Sequence, residues 1–339
     1  MKGYSSCVVR TAKSPKRGDC HVGHKVTSSQ CPGFVRHRVA SFSQQSQRYI
    51  QVKRLNEHVV TLNDVYNCEN GYFVYAGRGL TDHKRYGLLT VEQIITKSSN
   101  IGAAKIGIKL GPERLYQYVR QFGFGTPSGI PLAGERGGAA YPLKSWTKLS
   151  ITRIPMGYEI AVTPLQMIMA MCAIANGGHL MKPMLVDHLE DEQGRCVVQY
   201  QPQVVREVCT EETARLMVKA LKTVVATNGT AYGARLENYS VAGKTGTAKK
   251  SDGHKYLPGK YFSSFIGFLP ADNPEICISV VMDEPRLDHG YYGGETAAPI
   301  FRDIAQRSAN YLSIRPDFLP SDGAVVAAKL SQLTSTPDH

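Results

Sequence analysis

The stretch VAGKTGTA, residues 241–248, decides the fold prediction because two further apolar segments of strand length follow it. These segments are YFSSFIGFLP, residues 261–270, and EICISVVMDEP, residues 275–285, and polar turns separate all three. Consecutive strands that are joined by short turns usually pair antiparallel. The last third of the chain therefore predicts an antiparallel sheet.

Helical patterns fill the middle of the chain and close it. Thr90 can cap a helix that places Val91, Ile94 and Ile95 on one apolar face. Further helices are predicted at 101–110, 113–122, 164–175, 211–225 and 297–311. Helices in the middle, strands late and no alternation of strand and helix favour an α+β fold with helices flanking the antiparallel sheet.

The tetrad Lys244-Thr245-Gly246-Thr247 is the most informative part of the predicted sheet. In a strand, Lys244 and Gly246 face one side while Thr245 and Thr247 face the other. Because Gly246 has no side chain, another backbone can approach the strand closely. An edge of this kind can bind an extended peptide as an added strand. A lysine-glycine turn with the same letters is common, so the tetrad alone leaves both interpretations open.

A second polar group, Ser98-Ser99-Asn100, lies about 145 residues upstream, in the loop between two predicted helices. The hydroxyl of Ser98 can relay a proton, and the carboxamide of Asn100 can hold a peptide amide. The alternative for this group taken alone is a simple pair of helix-capping side chains.

In this order and spacing the two groups resemble the second and third motifs of the serine penicillin-recognising enzymes. The resemblance is carried further by KSSNIGAAKIG (97–107), FGFG (122–125), MGYEIAVTPLQM (156–167), ANGG (175–178), TNGTA (227–231), SSFIGFLPADNPEI (263–276) and GGETAAPIF (293–301). Over roughly residues 55–317 the chain looks like a class B penicillin-binding protein of the division or sporulation type. This implies a serine β-lactamase/transpeptidase-like fold with a helical subdomain.

The resemblance also implies an activity, that of a D,D-transpeptidase linking peptidoglycan stem peptides that end in D-Ala-D-Ala. In the catalytic set, Ser98 resembles the serine that bridges two catalytic lysines. Asn100 resembles the residue that holds the substrate amide, and Lys244 resembles the lysine that attracts the substrate carboxylate. The implied partners are stem peptides, β-lactams and division proteins, with no cofactor, no metal and no nucleic acid.

The implied substrate-binding set is Thr245, Gly246 and Thr247. Thr247 resembles the residue whose hydroxyl binds the substrate carboxylate. Its backbone N–H would form half of the oxyanion hole, where a developing negative charge is stabilised by preorganised donors.

The nucleophile of this family comes from an S-x-x-K motif, which should fall near residues 40–50. The chain instead reads SFSQQSQRYIQVK over residues 41–53, where Ser43 is followed at the third position by Ser46, and Ser46 by Tyr49. The only S-x-x-K in the sequence, Ser145 to Lys148, follows Ser98 and lies in a glycine- and proline-rich connection. We therefore do not expect Ser145 to act as the nucleophile. The sequence thus predicts a chain without a nucleophile and without turnover.

Residues 1–54 differ from the rest of the chain in composition. They contain eleven Lys or Arg and one acid, Asp19, so they carry +10 of the net +12, and they contain no leucine. We interpret 1–54 as a basic segment outside the family sequence, disordered or out of frame, 55–317 as a partial transpeptidase domain, and 318–339 as a loose tail.

Two other interpretations of the basic segment are weaker. Zinc ligands could be imagined at Cys20, His24, Cys31 and His37, but their spacings match no compact zinc knuckle. A nucleic-acid-binding arm would need aromatic residues among the charges, and no such patch is present.

Features of membrane insertion and of a disulfide framework are absent from the sequence. The longest apolar run, MIMAMCAIA at 167–175, is much shorter than the roughly 20 residues that cross a bilayer. No apolar segment of a signal peptide follows the basic N-terminus, and the eight cysteines show no tight spacing. By family, the expected location is the inner membrane with the domain outside the cytoplasm.

Two classes of function follow. The first is a transpeptidase domain that has lost turnover in this chain. The second is a binding or scaffold protein of the cell-wall machinery, and a covalent adduct with a fluorescent penicillin would separate the two. A fragment that does not fold is a third alternative, because the missing motif helix normally packs in the core.

Overall fold

A four-stranded antiparallel sheet forms the base of the fold. The computed structural model describes residues 4–11, 60–251, 255–286, 288 and 290–318. The strands of the sheet lie in the order β1-β14-β13-β12 and span Tyr4–Arg10 (β1), Ala242–Ser251 (β12), Tyr256–Leu269 (β13) and Ile276–Asp283 (β14). The three late strands are confirmed, and so is the α+β class with an antiparallel sheet.

The first strand, β1, was not predicted. It pairs with β14 from Tyr4 opposite Met282 to Arg10 opposite Ile276, so these residues form a strand within the segment that we interpret as disordered or out of frame. Along the strand, Cys7 and Val9 are partly buried and their neighbours are exposed. This alternation covers too few residues to be recognised as a strand in the sequence, and the strand with which it pairs lies far away in the chain.

Ten short strands form five two-stranded antiparallel ladders outside this sheet. Their bounds are Val65–Asn67 (β2), Tyr72–Tyr75 (β3), Arg78–Thr81 (β4), Leu88–Thr90 (β5), Ala139–Ala140 (β6), Ile160–Ala161 (β7), His179–Met181 (β8), His188–Glu190 (β9), Cys196–Gln199 (β10) and Val204–Glu207 (β11). The pairs are β2 with β5, β3 with β4, β6 with β7, β8 with β11 and β9 with β10.

Seven α-helices are found among the described residues. They span Val91–Lys97 (α1), Asn100–Leu110 (α2), Pro112–Gln121 (α3), Ser150–Arg153 (α4), Pro164–Ala175 (α5), Glu211–Val225 (α6) and Gly293–Tyr311 (α7). Thr90 and Thr163 begin α1 and α5 with full capping boxes, as the sequence pattern indicates. None of the described helices combines the length and the apolar composition needed to cross a bilayer.

Helices cover the sheet and bring the site residues together. On the sheet, α7 packs against β13 and stacks Phe301 edge-on against Phe265, with ring centroids 4.7 Å apart. Helix α6 packs on β12, and α1 packs on α6. The end of α1 is thereby held near β12. Helix α2 contacts both α3 and α4, and these three helices form a helical subdomain that continues from that point.

Several predictions fall on parts of the chain outside the described residues. These are the absence of a nucleophile at 41–53, the four zinc-ligand candidates, residues 12–54 of the basic segment and nearly all of the tail 318–339. They remain predictions.

Candidate functional site

The two polar motifs meet at one hydrogen bond. Lys244 on β12 donates from Nζ to the Oγ of Ser98, at 2.7 Å. The lysine side chain is 1% exposed, and it also lies 3.4 Å from the carbonyl of Thr245. A buried ammonium needs polar partners because an uncompensated charge is costly away from water. The structure therefore places the candidate proton-relay hydroxyl directly on the candidate cation.

Ser98 occupies the junction between α1 and α2. Its backbone is left-handed, with φ 58° and ψ 42°, and it ends α1, while the side chain of Ser99 caps α2. Asn100 is the first residue of α2 rather than part of the loop. On the other side, Lys97 donates from Nζ to the Asn228 carbonyl at 2.7 Å. The junction thus contacts the TNGTA segment that precedes β12.

Asn100 is held by a segment that the sequence analysis did not identify. Its side-chain nitrogen donates to the carbonyl of Thr81 at 3.0 Å. The next residue, Asp82, receives hydrogen bonds from Ser99 and from the Asn100 backbone. Asp82 lies beyond the end of β4, and the pattern around it contains no motif, so local reasoning had no signal for it.

Thr245 and Thr247 contact the start of α7 and the segment beside it. The hydroxyl oxygens of Thr245 and Thr230 lie 3.1 Å apart, and the backbone N–H of Gly293 donates to Thr247 Oγ1 at 3.1 Å. Both threonines therefore face neighbours other than Ser98, as strand alternation predicts.

Gly246 and Gly293 allow two backbones to approach closely. A Cβ atom on Gly293 would lie 2.6 Å from the Gly246 carbonyl oxygen and 2.2 Å from that of Ser264. Helix α7 begins at Gly293 instead of at the predicted Ala297, and glycine is the residue that fits this close to the sheet. The letters GG formed part of the resemblance, but their role required the packing.

The strand that carries the tetrad is an edge strand of the described sheet. Within the described residues β12 pairs with β13 alone, with Lys244 opposite Ile266 and Gly246 opposite Ser264. Its other side can accept main-chain hydrogen bonds from an extended peptide.

Partial burial shifts the pKa values of titratable groups near Asn100. Burial lowers the pKa of the His83 imidazole, and the nearby carboxylate of Asp82 opposes this shift. Burial also raises the pKa of Tyr86 to about 12, and its hydroxyl lies 3.2 Å from His83 Nε2. A cavity of about 490 Å³ is lined in part by Thr81, Asp82 and His83, but its lining does not include Ser98, Asn100 or Lys244.

The S-x-x-K at Ser145 to Lys148 is not presented as a nucleophile and its base. Ser145 ends a single 3-10 turn, Leu143–Ser145, that packs on α3, and both side chains are exposed. The pair needs one helical turn to bring the amine to the hydroxyl, which is absent at this position.

The described residues hold no group of three or more His, Cys, Asp or Glu that could bind a metal ion. The hydrogen-bonding groups of the site are hydroxyls, an amide and one ammonium, which suit a peptide with a carboxylate better than a cation.

Known proteins are similar to this chain over most of its length. The profile of the penicillin binding protein transpeptidase domain matches residues 51–306. Stage V sporulation protein D of Bacillus subtilis is 36% identical over 265 residues, covering 77% of this chain and 41% of the relative. The probable peptidoglycan D,D-transpeptidase PbpC of Pseudomonas aeruginosa is 32% identical over 255 residues, covering 75% and 43%. The chain thus spans about two fifths of the length of these relatives.

Solved structures show the same fold. The apo transpeptidase domain of penicillin-binding protein 3 from Burkholderia pseudomallei superposes with a TM-score of 0.73 at 32% identity, covering 83% of this chain and 81% of that domain. Penicillin-binding protein 3 of Mycobacterium tuberculosis, solved in complex with ampicillin, gives a TM-score of 0.73 at 26% identity and covers 82% of this chain and 64% of that protein.

Proposed function

Because this chain belongs to the penicillin-binding protein transpeptidase family, which acts in peptidoglycan synthesis, we propose that its described part is the substrate-recognition side of a D,D-transpeptidase site. The observation that carries the proposal is the 2.7 Å hydrogen bond from Lys244 on the edge strand to Ser98. It joins two motifs 146 positions apart in the sequence, and neither motif requires that contact for its own secondary structure.

The ligand is the D-Ala-D-Ala end of a stem peptide, added as a strand along β12. Lys244 supplies positive potential for its terminal carboxylate, and the hydroxyl of Thr247 donates to that group. Asn100 holds the penultimate amide. The backbone N–H of Thr247 faces the carbonyl oxygen that would become negative during acyl transfer.

Acyl transfer itself needs a further pair of groups. A serine hydroxyl must lose its proton to a neighbouring neutral amine, attack the D-Ala-D-Ala carbonyl and release D-Ala, after which an acceptor amine takes the acyl group. Residues 41–53 contain no S-x-x-K, and the family match begins at residue 51. We therefore propose that this chain binds stem peptides and β-lactams reversibly and forms no acyl-enzyme.

Fluorescent penicillin separates binding from acylation. We expect no covalent band after incubation of the purified chain, whereas a diacetylated tripeptide ending in D-Ala-D-Ala perturbs the NMR signals of Ser98, Asn100 and Thr247. A Ser145→Ala variant tests the one S-x-x-K present. A covalent adduct on the wild-type chain, or turnover of the tripeptide, would contradict the proposed loss of acylation.

The origin of residues 1–54 is a linked proposal. Charge, leucine content and family resemblance all change near Leu55, which supports a segment that does not derive from family sequence. Sequencing of the encoding DNA tests it, because another reading frame upstream of the Leu55 codon should encode serine-x-x-lysine. If no frame does, the idea is wrong.

A scaffold role is the second candidate, and one surface favours it. The β9–β10 hairpin exposes several large apolar side chains, among them Leu189, Val197 and Val198, at 45%, 64% and 41%. Exposed apolar clusters mark protein contacts more often than chance. In this case the chain would retain the substrate groove without turnover and would act outside the cytoplasm with division or sporulation proteins.

A further inference from the structure

The junction that carries Ser98 is conformationally strained. A left-handed backbone is uncommon for any residue other than glycine, and Ser98 adopts it between two helices. Such a conformation persists only when the surroundings determine it. The hydrogen bond to Lys244 also needs the Ser98 hydroxyl to stay at a defined place. Some group must therefore hold the junction in place.

The carboxylate of Asp82 is placed to do this. Its Oδ2 accepts from Ser99 Oγ at 2.7 Å, while its Oδ1 accepts from the backbone N–H groups of Asn100 at 2.5 Å and Ile101 at 3.1 Å. Ser99 Oγ in turn accepts from the Gly102 N–H at 3.0 Å. One carboxylate thus satisfies two of the free N–H groups at the start of α2 and orients the capping serine.

Asp82 is itself fixed by structure outside the junction. It follows β4 directly, its backbone N–H donates to the Gly71 carbonyl at 3.2 Å, and β4 packs on both β3 and α2. The preceding residue, Thr81, accepts from the side chain of Asn100. The end of β4 therefore contacts the Ser98-Ser99-Asn100 motif at two places, the motif's backbone and the Asn100 carboxamide.

For these hydrogen bonds, a charged acceptor is better than a neutral one. The three donors converge on two oxygens, and hydrogen bonds to a carboxylate are the stronger kind. The positive end of the α2 dipole adds to this preference. No described ion pair involves Asp82, and the titratable groups near it are His83, Cys68 and Tyr86. The carboxylate therefore hydrogen-bonds to the α1–α2 junction rather than pairing with a neighbouring cation.

We propose that Asp82 is a positioning residue, which holds Ser98 and Asn100 in register with Lys244 by anchoring the α1–α2 junction through its carboxylate. The ligand-binding part of its test rests on the proposed function. The structural part of the test is independent of the proposed function, because it measures the backbone amides of the junction itself.

The test compares Asp82→Ala and Asp82→Asn with Asp303→Asn in the full chain. Asp303 lies on α7, pairs with Arg302 and is 63% exposed, so its variant controls for the loss of one negative charge. The first readout is the NMR shift and the hydrogen-exchange protection of the Asn100 and Ile101 backbone amides. The second is affinity for the diacetylated D-Ala-D-Ala tripeptide.

In the wild type we expect both amides to lie downfield and to titrate together as the pH is lowered. The Asp82→Ala variant should lose this titration, and its exchange protection at the two amides should fall by about tenfold or more. Asp82→Asn, which is isosteric, should keep the fold and partial protection but show no titration. Tripeptide affinity should drop by about tenfold in Asp82→Ala and remain unchanged in Asp303→Asn.

Unchanged shifts and protection at Asn100 and Ile101 in Asp82→Ala would overturn the inference. So would equal effects of Asp82→Ala and Asp303→Asn. If the wild type binds no tripeptide but its two amides titrate as expected, the proposed function fails and the positioning role of Asp82 is still supported.

Discussion

Lys244 combines deep burial with a functional charge, which makes it the most informative single residue to change. Its ammonium is 1% exposed and donates to Ser98. Replacing Lys244 by Met keeps most of the volume and removes the charge. We expect tripeptide affinity to fall by at least about tenfold, because truncating one partner of a buried charged hydrogen bond commonly costs about 2 kcal/mol or more.

The stability of Lys244→Met should follow a different course. Removing the charge also removes its desolvation cost, while Ser98 Oγ and the Thr245 carbonyl lose a donor, so we expect a midpoint in urea close to that of the wild type. Lys249→Met, an exposed position on the same strand, is the matched control and should bind like the wild type. Wild-type affinity in Lys244→Met would refute the assignment of this lysine to substrate recognition.

Asp82 gives a pH prediction with a definite sign. Burial raises the pKa of its carboxyl above the ordinary value of 3.8, although hydrogen bonds from Ser99, Ile101 and Asn100 oppose the shift. The folded chain thus binds this proton more tightly than the unfolded chain does. Through this group, the free energy of unfolding rises as the pH falls from above the raised pKa towards 3.8.

Acidification should therefore change tripeptide affinity and stability in opposite directions. Tripeptide affinity should decrease through this window because the protonated carboxyl is a poorer acceptor, while wild-type stability relative to Asp82→Asn should increase. Urea unfolding and binding titrations on both proteins over the same pH series measure the two trends. A parallel fall of affinity and of relative stability would show that the carboxyl pKa is lowered, not raised, by folding.

At the scale of elements, the contact between α7 and β12 depends on glycine. A methyl group at position 293 would meet two carbonyl oxygens at 2.2 and 2.6 Å, so Gly293→Ala must displace the start of α7 or the strand. We expect a loss of about 1–3 kcal/mol in stability, typical of overpacking, and weaker tripeptide binding because Thr247 loses its N–H donor. Gly87→Ala is the control, since its nearest neighbour would lie 3.7 Å away. Equal stability of the two variants would argue against the close approach.

At the scale of the whole molecule, the site lies between the sheet and the helical part of the chain. Ser98 and Asn100 come from the α1–α2 junction, while Lys244 and the two threonines come from β12. A ligand that contacts both sides binds the folded chain alone, so it should stabilise it by about 2.7 kcal/mol at a concentration of 100 Kd. Thermal unfolding with and without the tripeptide measures this shift. Lys244→Met should lose it, and an absent shift in the wild type at saturation would count against a formed groove.

The amino-acid sequence by itself determined the elements whose signals are local. The cap at Thr90, the helices of the middle of the chain and the three apolar strands were predicted, because capping, helical period and strand length depend on residues close in the chain. The two motifs, and through them the family, followed from the same letters.

Only the tertiary structure decided which residues meet. The distance from Lys244 to Ser98, the grip of Asp82 on the junction, the fit of Gly293 against Gly246 and the pairing of β1 with β14 all join segments far apart in sequence. Such contacts depend on how helices pack on the sheet, and no local pattern encodes the partner. In the sequence, Asp82 cannot be distinguished from any other polar residue at the end of a hairpin. Only the packing of β4 on α2 brings its carboxylate to Ser99 and to the backbone of Asn100.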